Sequence, residues 1–103
     1  MSNLHVNTIN QSLSEGFTSE AFRKEGRSMT VVAVFTGITG NPVVKLQQSV
    51  EGRVFQDIPK SNVTLEAGQG QQMWNESILP EGTFVRIVAG QDAGELSTIK
   101  TLS

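Results

Sequence analysis

The chain has 103 residues, the usual size of one domain built around a single hydrophobic core. Its net charge is −2 and its Lys and Arg residues form no strong cluster, which argues against binding nucleic acid through phosphate contacts. No cysteine is present, so the chain can form neither a disulfide nor a thiolate metal site.

Targeting signals and charge runs are weak. The first ten residues are polar, and no apolar run approaches the ~18 residues of a membrane span, so we expect a protein made in the cytoplasm with no membrane partner. The densest basic group is Arg23, Lys24 and Arg27, which Glu20 and Glu25 offset. This pattern predicts a solvated strand end.

The first 25 residues are predicted to form an N-terminal arm or edge strands, separate from a β-sandwich domain over residues 26–103. Within residues 1–14 the large aliphatic side chains are sparse: Leu4, Val6, Ile9 and Leu13. They cannot build a core of their own, but their spacing suits one additional strand. Residues 18–24 predict another strand; a helix over 13–24 is the alternative, which Gly16 and Thr18 weaken.

The strongest strand signal is residues 28–36, where both alternate faces are apolar or β-branched. We expect a central strand covered on both sides. Residues 43–50 alternate, with Val44, Leu46, Gln48 and Val50 on the predicted buried face. Glu51 and Gly52 predict a two-residue turn into a strand over 53–58, which Pro59 ends.

The C-terminal half predicts strands over residues 62–66, 71–77, 83–89 and 95–102. Short strands at this spacing, without a helical crossover, predict an all-β fold: a single antiparallel β-sandwich, jelly-roll-like, of about eight strands. The core is expected to draw on these side chains, with one member of each adjacent pair sufficing: Val32, Val34, Phe35, Leu46, Phe55, Ile58, Phe84, Val85 and Ile87.

Residues for catalysis are few, and we expect no enzyme, no cofactor and no metal site. His5 is the only histidine and lies in the N-terminal segment, where we expect it to be mobile and solvated. The glycines at 68 and 70 lack the third glycine and the lysine that phosphate binding needs. The carboxylates fall mostly at predicted turns, where solvation explains them: Glu51, Asp57, Glu66, Glu76, Glu81, Asp92 and Glu95.

Trp74 is the only tryptophan, and glutamines surround it. Exposed aromatic rings beside amides are one way in which β-sandwiches hold sugars, so Trp74 and Gln72 are candidate glycan contacts. The alternative is that Trp74 belongs to the core, which its size favours.

From residue 28 onward the chain contains an apolar strand ending at Gly37, the run Leu46-Gln47-Gln48-Ser49, the Glu51-Gly52 turn, Phe55, and Asp57-Ile58-Pro59. In these features it resembles small β-sandwich virion proteins of tailed bacteriophages. Relatives commonly have Asp-Gly at the turn and Trp at the aromatic position, so Glu51 and Phe55 are conservative departures. A valine-rich strand after Pro80-Glu81-Gly82 and a last strand rich in Ser, Thr and Leu also fit.

This resemblance implies a structural protein of the virion, such as a capsid decoration protein or a head or tail accessory subunit. Its partners would be other virion proteins and further copies of itself, with no nucleic acid bound. In that setting we expect four side chains of the N-terminal arm to contact a neighbouring subunit: Leu4, Val6, Ile9 and Leu13. A carbohydrate-binding or adhesion module of a phage or bacterial surface is the alternative function.

Overall fold

Ten strands form in the computed structural model, which describes residues 4–24, 28–76 and 82–102, and no helix occurs in these ranges. The strands are β1 Leu4–Ser12, β2 Phe17–Thr18, β3 Phe22–Arg23, β4 Met29–Thr36, β5 Val43–Ser49, β6 Gln56–Asp57, β7 Val63–Thr64, β8 Gln71–Glu76, β9 Phe84–Ala89 and β10 Glu95–Leu102. The predicted all-β sandwich is confirmed. The alternative helix over residues 13–24 does not form; that region holds β2 and β3.

The strands form two antiparallel sheets. One has four strands in the order β1-β10-β4-β8. The other is centred on β9 and β5, with the short β2 and β3 along the outer side of β9 and the short β6 and β7 along β5. Residue 77 of the predicted strand over 71–77 and residues 80 and 81 of the predicted turn lie outside the described residues.

The core lies between the sheets and is built from every second residue of the long strands. In β4 the inward residues are Met29, Val31, Ala33 and Phe35, all buried. The predicted core positions Val32 and Val34 lie on the opposite face and are only half-buried, so the expectation that β4 is fully covered on both sides is wrong. Buried side chains from the other long strands complete the core: Val44, Leu46, Val85, Ile87, Leu96 and Ile99.

The connection from β5 to β6 is longer than predicted. The two strands pair as expected, with Gln48 opposite Gln56, but residues 50–55 form a loop and Val50 is 90% exposed. Phe55 therefore leaves the ladder, and the Arg86 guanidinium carbon lies 3.9 Å from its ring centroid. Phe55 and Phe84, both predicted to belong to the core, are each half-buried.

The N-terminal segment is an edge strand of its own chain's sheet. β1 pairs with β10 from Leu4 opposite Leu102 to Ser12 opposite Glu95. After it, Leu13 is fully buried, and its N–H donates to the Gly94 carbonyl. Leu13 is thus a core residue, because its side chain is enclosed between the sheets.

Lys24 is buried, so the prediction of a solvated strand end is wrong there. Its backbone N–H donates to the Thr83 carbonyl, and its own carbonyl accepts from the Gly82 N–H. This pairing follows β3 along β9 and draws Lys24 inward. Residues 25–27, including Arg27, lie outside the described residues.

Asp92 joins the loop after β4 to the loop before β10. Its carboxylate accepts the N–H groups of Thr39 at 3.0 Å, Gly40 at 2.8 Å and Gly94 at 2.9 Å. The hydrogen bonds from Thr39 and Gly94 are the main reason that the pKa of Asp92 lies below its ordinary value. Asp92 therefore fixes the geometry of these two loops, whereas the sequence predicted only a solvated turn residue.

Gly52 should be sensitive to substitution, because its φ is +84° and an L residue is strained there. Its N–H also donates to Ser49 Oγ at 2.8 Å, which holds the loop in this conformation. We expect Gly52→Ala to lower the free energy of unfolding by about 1 kcal/mol or more. Gly70→Ala is the matched control, since Gly70 has no positive φ and open space where a Cβ would lie. Equal urea midpoints for the two variants would contradict this assignment.

The Asp92 contacts predict acid sensitivity. Because the folded-state pKa is depressed, the stabilisation is present above the ordinary carboxyl pKa of 3.8 and is lost as the pH falls through the lower folded value. We expect Asp92→Asn to lower the urea midpoint at pH 7 and to reduce the further fall between about pH 5 and pH 2. The control is Glu51→Gln, at an exposed carboxylate. A full wild-type acid response in the Asp92 variant would overturn the assignment.

Candidate interaction surface

The outer face of the four-stranded sheet presents every second residue of its strands in rows that cross the sheet. The register of the ladders defines three rows: Leu4, Leu102, Thr30 and Asn75; Val6, Lys100, Val32 and Met73; Thr8, Thr98, Val34 and Gln71. We call these twelve residues the outer face. Lys100 is the only formally charged residue among them.

The outer face is unusually apolar for a sheet surface that no described element covers. The exposed fractions are 63% for Leu4, 54% for Val6, 53% for Met73 and 40% for Leu102. An antiparallel sheet with one face on the core commonly has polar residues on the other. Contiguous exposed apolar surface instead marks sites of interaction.

The two edges of this sheet differ chemically. The β8 edge is capped by its own glutamines: Gln69 Nε2 donates to the Gln71 carbonyl at 2.9 Å, and Gln72 Nε2 donates to the Met73 carbonyl at 3.1 Å. Gln72, a predicted glycan contact, thus bonds to its own strand. The β1 edge contains no Lys, Arg, Asp, Glu or Pro, the residues that commonly protect a strand edge from pairing.

A cleft of about 420 Å³ opens between β1 and the short strands β2 and β3. Its apolar lining includes Ile9, Phe17, Phe22 and Ile99, with Glu20 as the only carboxylate. Ile9, predicted to contact a neighbouring subunit, lies here, half-buried against the core. The cleft offers apolar contact area and no group of residues arranged for catalysis.

The four predicted assembly residues therefore separate into three environments. Leu4 and Val6 lie on the outer face beside the open edge. Ile9 lines the cleft, and Leu13 lies in the core. Only Leu4 and Val6 present large exposed areas.

Trp74 lies in the core, on the inward face of β8 opposite Val31. Its Nε1–H donates to the Ser61 carbonyl at 2.8 Å, and Ser61 Oγ accepts the Leu46 N–H at 3.0 Å. This buried network closes the side of the sandwich away from the cleft. A ring in this position presents no face on which a sugar could stack.

The other polar residues considered from the sequence do not lie together in one site. Asp57 accepts hydrogen bonds from Gln47 at 2.9 Å and from Lys45 at 3.0 Å, which together hold its pKa below the ordinary value. His5 is exposed on β1, opposite Thr101. The described ranges contain no group of three or more His, Cys, Asp or Glu residues that could hold a metal ion. Glu81 and the side chain of Glu76 lie outside what the structure describes.

No helix in the described part of the chain is long and apolar enough to span a membrane.

Sequence reasoning missed the outer face. Val32 was assigned to the core, and the contributions of Met73, Lys100 and Leu102 depend on the cross-strand register. The signal in the sequence was the apolar character of both faces of β4. Because only one of these faces can pack on the core, the other must either contact a further surface or remain exposed.

No protein-family model matches the chain, and no curated protein matches it. Among solved structures, the PBSX exported protein XepA has a TM-score of 0.60 at 11% identity, over 98% of this chain and 36% of that one. The SPBc2 prophage-derived protein YomS has a TM-score of 0.59 at 12% identity, over 99% and 93%. A subunit of Bacillus endospore appendages, described as disulfide-linked pili, has a TM-score of 0.52 at 10% identity, over 99% and 83%. The chain spans about a third of the XepA chain, and at these identities the likeness shows a shared fold.

Proposed function

We propose that this protein is a structural subunit of a bacteriophage particle, a capsid decoration protein or a head or tail accessory subunit, and that it acts by assembling with other virion proteins. The observation that carries the proposal is the exposed apolar outer face of the four-stranded sheet. Such a surface is costly to leave in water and gains free energy when a partner covers it.

The chemistry of the outer face suits protein assembly. Its aliphatic side chains supply apolar area, and its Thr residues and Lys100 supply hydrogen-bonding groups among them. A partner that covers Val6, Val32 and Met73 would need a carboxylate or a carbonyl opposite Lys100, since a buried unpaired ammonium is strongly unfavourable. This requirement favours a specific protein surface.

The fold neighbours support the phage context. XepA and YomS are phage-derived proteins by their names, and YomS has nearly the same extent as this chain. A similar fold also occurs in the Bacillus endospore appendages, which are described as disulfide-linked pili. This chain has no cysteine, so its own assembly contacts cannot be disulfides.

The alternative, a carbohydrate-binding or adhesion module, has less support. Trp74 is enclosed in the core, and both amide groups of the Gln69 and Gln72 pair are engaged at the β8 edge.

The test asks whether the protein is present in phage particles and whether its incorporation depends on the outer face. We expect it in purified particles of the phage that encodes it, at a fixed ratio to the major capsid or tail protein by quantitative mass spectrometry. Met73→Lys should lower its incorporation about tenfold, because a buried lysine removes more than ~1.4 kcal/mol of binding free energy.

Gln56→Lys, at an exposed position on the other sheet, is the matched control and should incorporate normally. Circular dichroism checks that both variants fold. Absence of the wild-type protein from washed particles would contradict the proposal, as would normal incorporation of the Met73 variant.

A further inference from the structure

We infer that β1 pairs with β1 of a second copy about a two-fold axis, joining two four-stranded sheets into one antiparallel sheet of eight strands. The inference rests on the proposed function, since it identifies the first contact that an assembling subunit would make. In this inference the occupant of the β1 edge is a second copy of this chain.

The first argument is the composition of the edge. β1 is nine residues long, its described partner is β10 on one side only, and it contains no formal charge and no proline. Exposed strand edges normally carry such residues because their unpaired N–H and C=O groups otherwise recruit another strand. An unprotected edge of this length is expected to be paired in the functional assembly.

The second argument identifies which strand can pair with it. At the opposite edge, the Gln71 and Met73 carbonyls already accept side-chain amides from Gln69 and Gln72. Pairing β1 with β8 of another copy would require these two hydrogen bonds to break. Pairing β1 with β1 breaks none of the described hydrogen bonds, so the self-pairing is favoured.

The third argument is the fit of the side chains under a two-fold axis. In an antiparallel pair centred on Val6, Val6 meets its own symmetry mate and Leu4 lies opposite Thr8 of the partner subunit. Leu102, next to Leu4 on the outer face, extends the apolar strip on both sides. On the other face of the sheet, His5 lies opposite Asn7 of the partner subunit, which is a polar pair. No like formal charges meet.

The regular part of β1 is long enough for this contact. The ladder with β10 is uninterrupted from Leu4 to Thr8, and the irregularity follows between Thr8 and Gln11, where Asn10 has a φ of +49°. Pairing centred on Val6 uses only residues 4–8. The register shift after Thr8 interrupts the regular strand and limits the contact to this segment.

Lys100 distinguishes edge pairing from stacking of two outer faces. In the edge-paired dimer two β1 strands separate the β10 strands, so the Lys100 residues lie about 14 Å apart across three strand spacings of ~4.8 Å. That distance exceeds the ~8 Å Debye length at physiological ionic strength, and both ammonium groups stay in water. Stacking the faces would instead remove Lys100 from solvent.

A single introduced thiol tests the pairing directly, because the wild-type chain contains no cysteine. In the proposed register the two Cα atoms at position 6 are about 4.5–5.5 Å apart, which a disulfide spans. We expect Val6→Cys to form a covalent dimer under mild oxidation at least about tenfold faster than Met73→Cys, because pairing raises the effective thiol concentration. The control is matched, since the two wild-type side chains are 54% and 53% exposed.

Mass measurements give a second test that needs no covalent bond. By sedimentation equilibrium the wild-type protein should be a dimer, Val6→Lys should raise the dimer dissociation constant about tenfold or more, and Met73→Lys should leave it unchanged. Equal oxidation rates of the two thiol variants, faster oxidation of Met73→Cys, or a wild-type monomer at all concentrations would overturn the inference.

The two proposals can fail separately. A monomer that is present in purified particles would refute the β1 pairing and leave the virion role intact. A dimer with the predicted cross-link that is absent from particles would refute the virion role.

Discussion

The cross-strand register between β10 and β4 is the constraint on which the architecture depends. Leu96 and Ile99 are an odd number of residues apart, so a regular strand would send one of them to the core and the other to solvent. The register shift between Leu96 and Thr98 allows both to face inward, opposite Phe35 and Ala33. The same shift places Lys100 and Leu102 on the outer face. One irregularity in a ladder therefore sets both the core and the candidate interaction surface.

Much of the fold was predictable because alternation and turn residues are local signals. β10 was predicted with its observed bounds, and β4, β5 and β9 within one residue at each end. The inward face of β4 was not predictable, since Val32 and Val34 are as apolar as Val31 and Phe35. When both faces of a strand are apolar, hydrophobicity does not indicate which one is buried. The buried face of β4 is determined by its packing with the partner strands.

Other differences also have causes that are distant in sequence. The hairpin after β5 was predicted, but its loop extends to Phe55, whose ring lies beside Arg86 of β9, a contact that no local pattern encodes. Asp92 was expected to be a solvated turn residue, yet its carboxylate accepts hydrogen bonds from three N–H groups near and far in sequence. Two of them depend on residues more than fifty positions away. Sequence alone could not indicate this pairing of loops, which is set by the return of β10 beside β4.

The candidate surface shows how a small domain can separate stability from association. The core side of the four-stranded sheet holds buried side chains such as Met29, Leu96 and Ile99, whereas the outer side holds the exposed or half-buried side chains of Val6, Val32 and Met73. Trp74 lies one residue after Met73 and faces the other way, so adjacent residues serve the core and the surface. Substitutions on the outer side should therefore change binding with small effects on stability.

In the proposed assembly, edge pairing and face binding reinforce each other. Joining two β1 strands leaves both outer faces exposed and places them side by side in one continuous sheet. A particle surface with repeated sites could then engage both faces of one dimer, and the second contact would form at the high effective concentration set by the first. Individually weak, non-covalent contacts would thereby hold the subunit firmly. This provides a physical route by which a cysteine-free domain can achieve the attachment that disulfides supply in other assemblies.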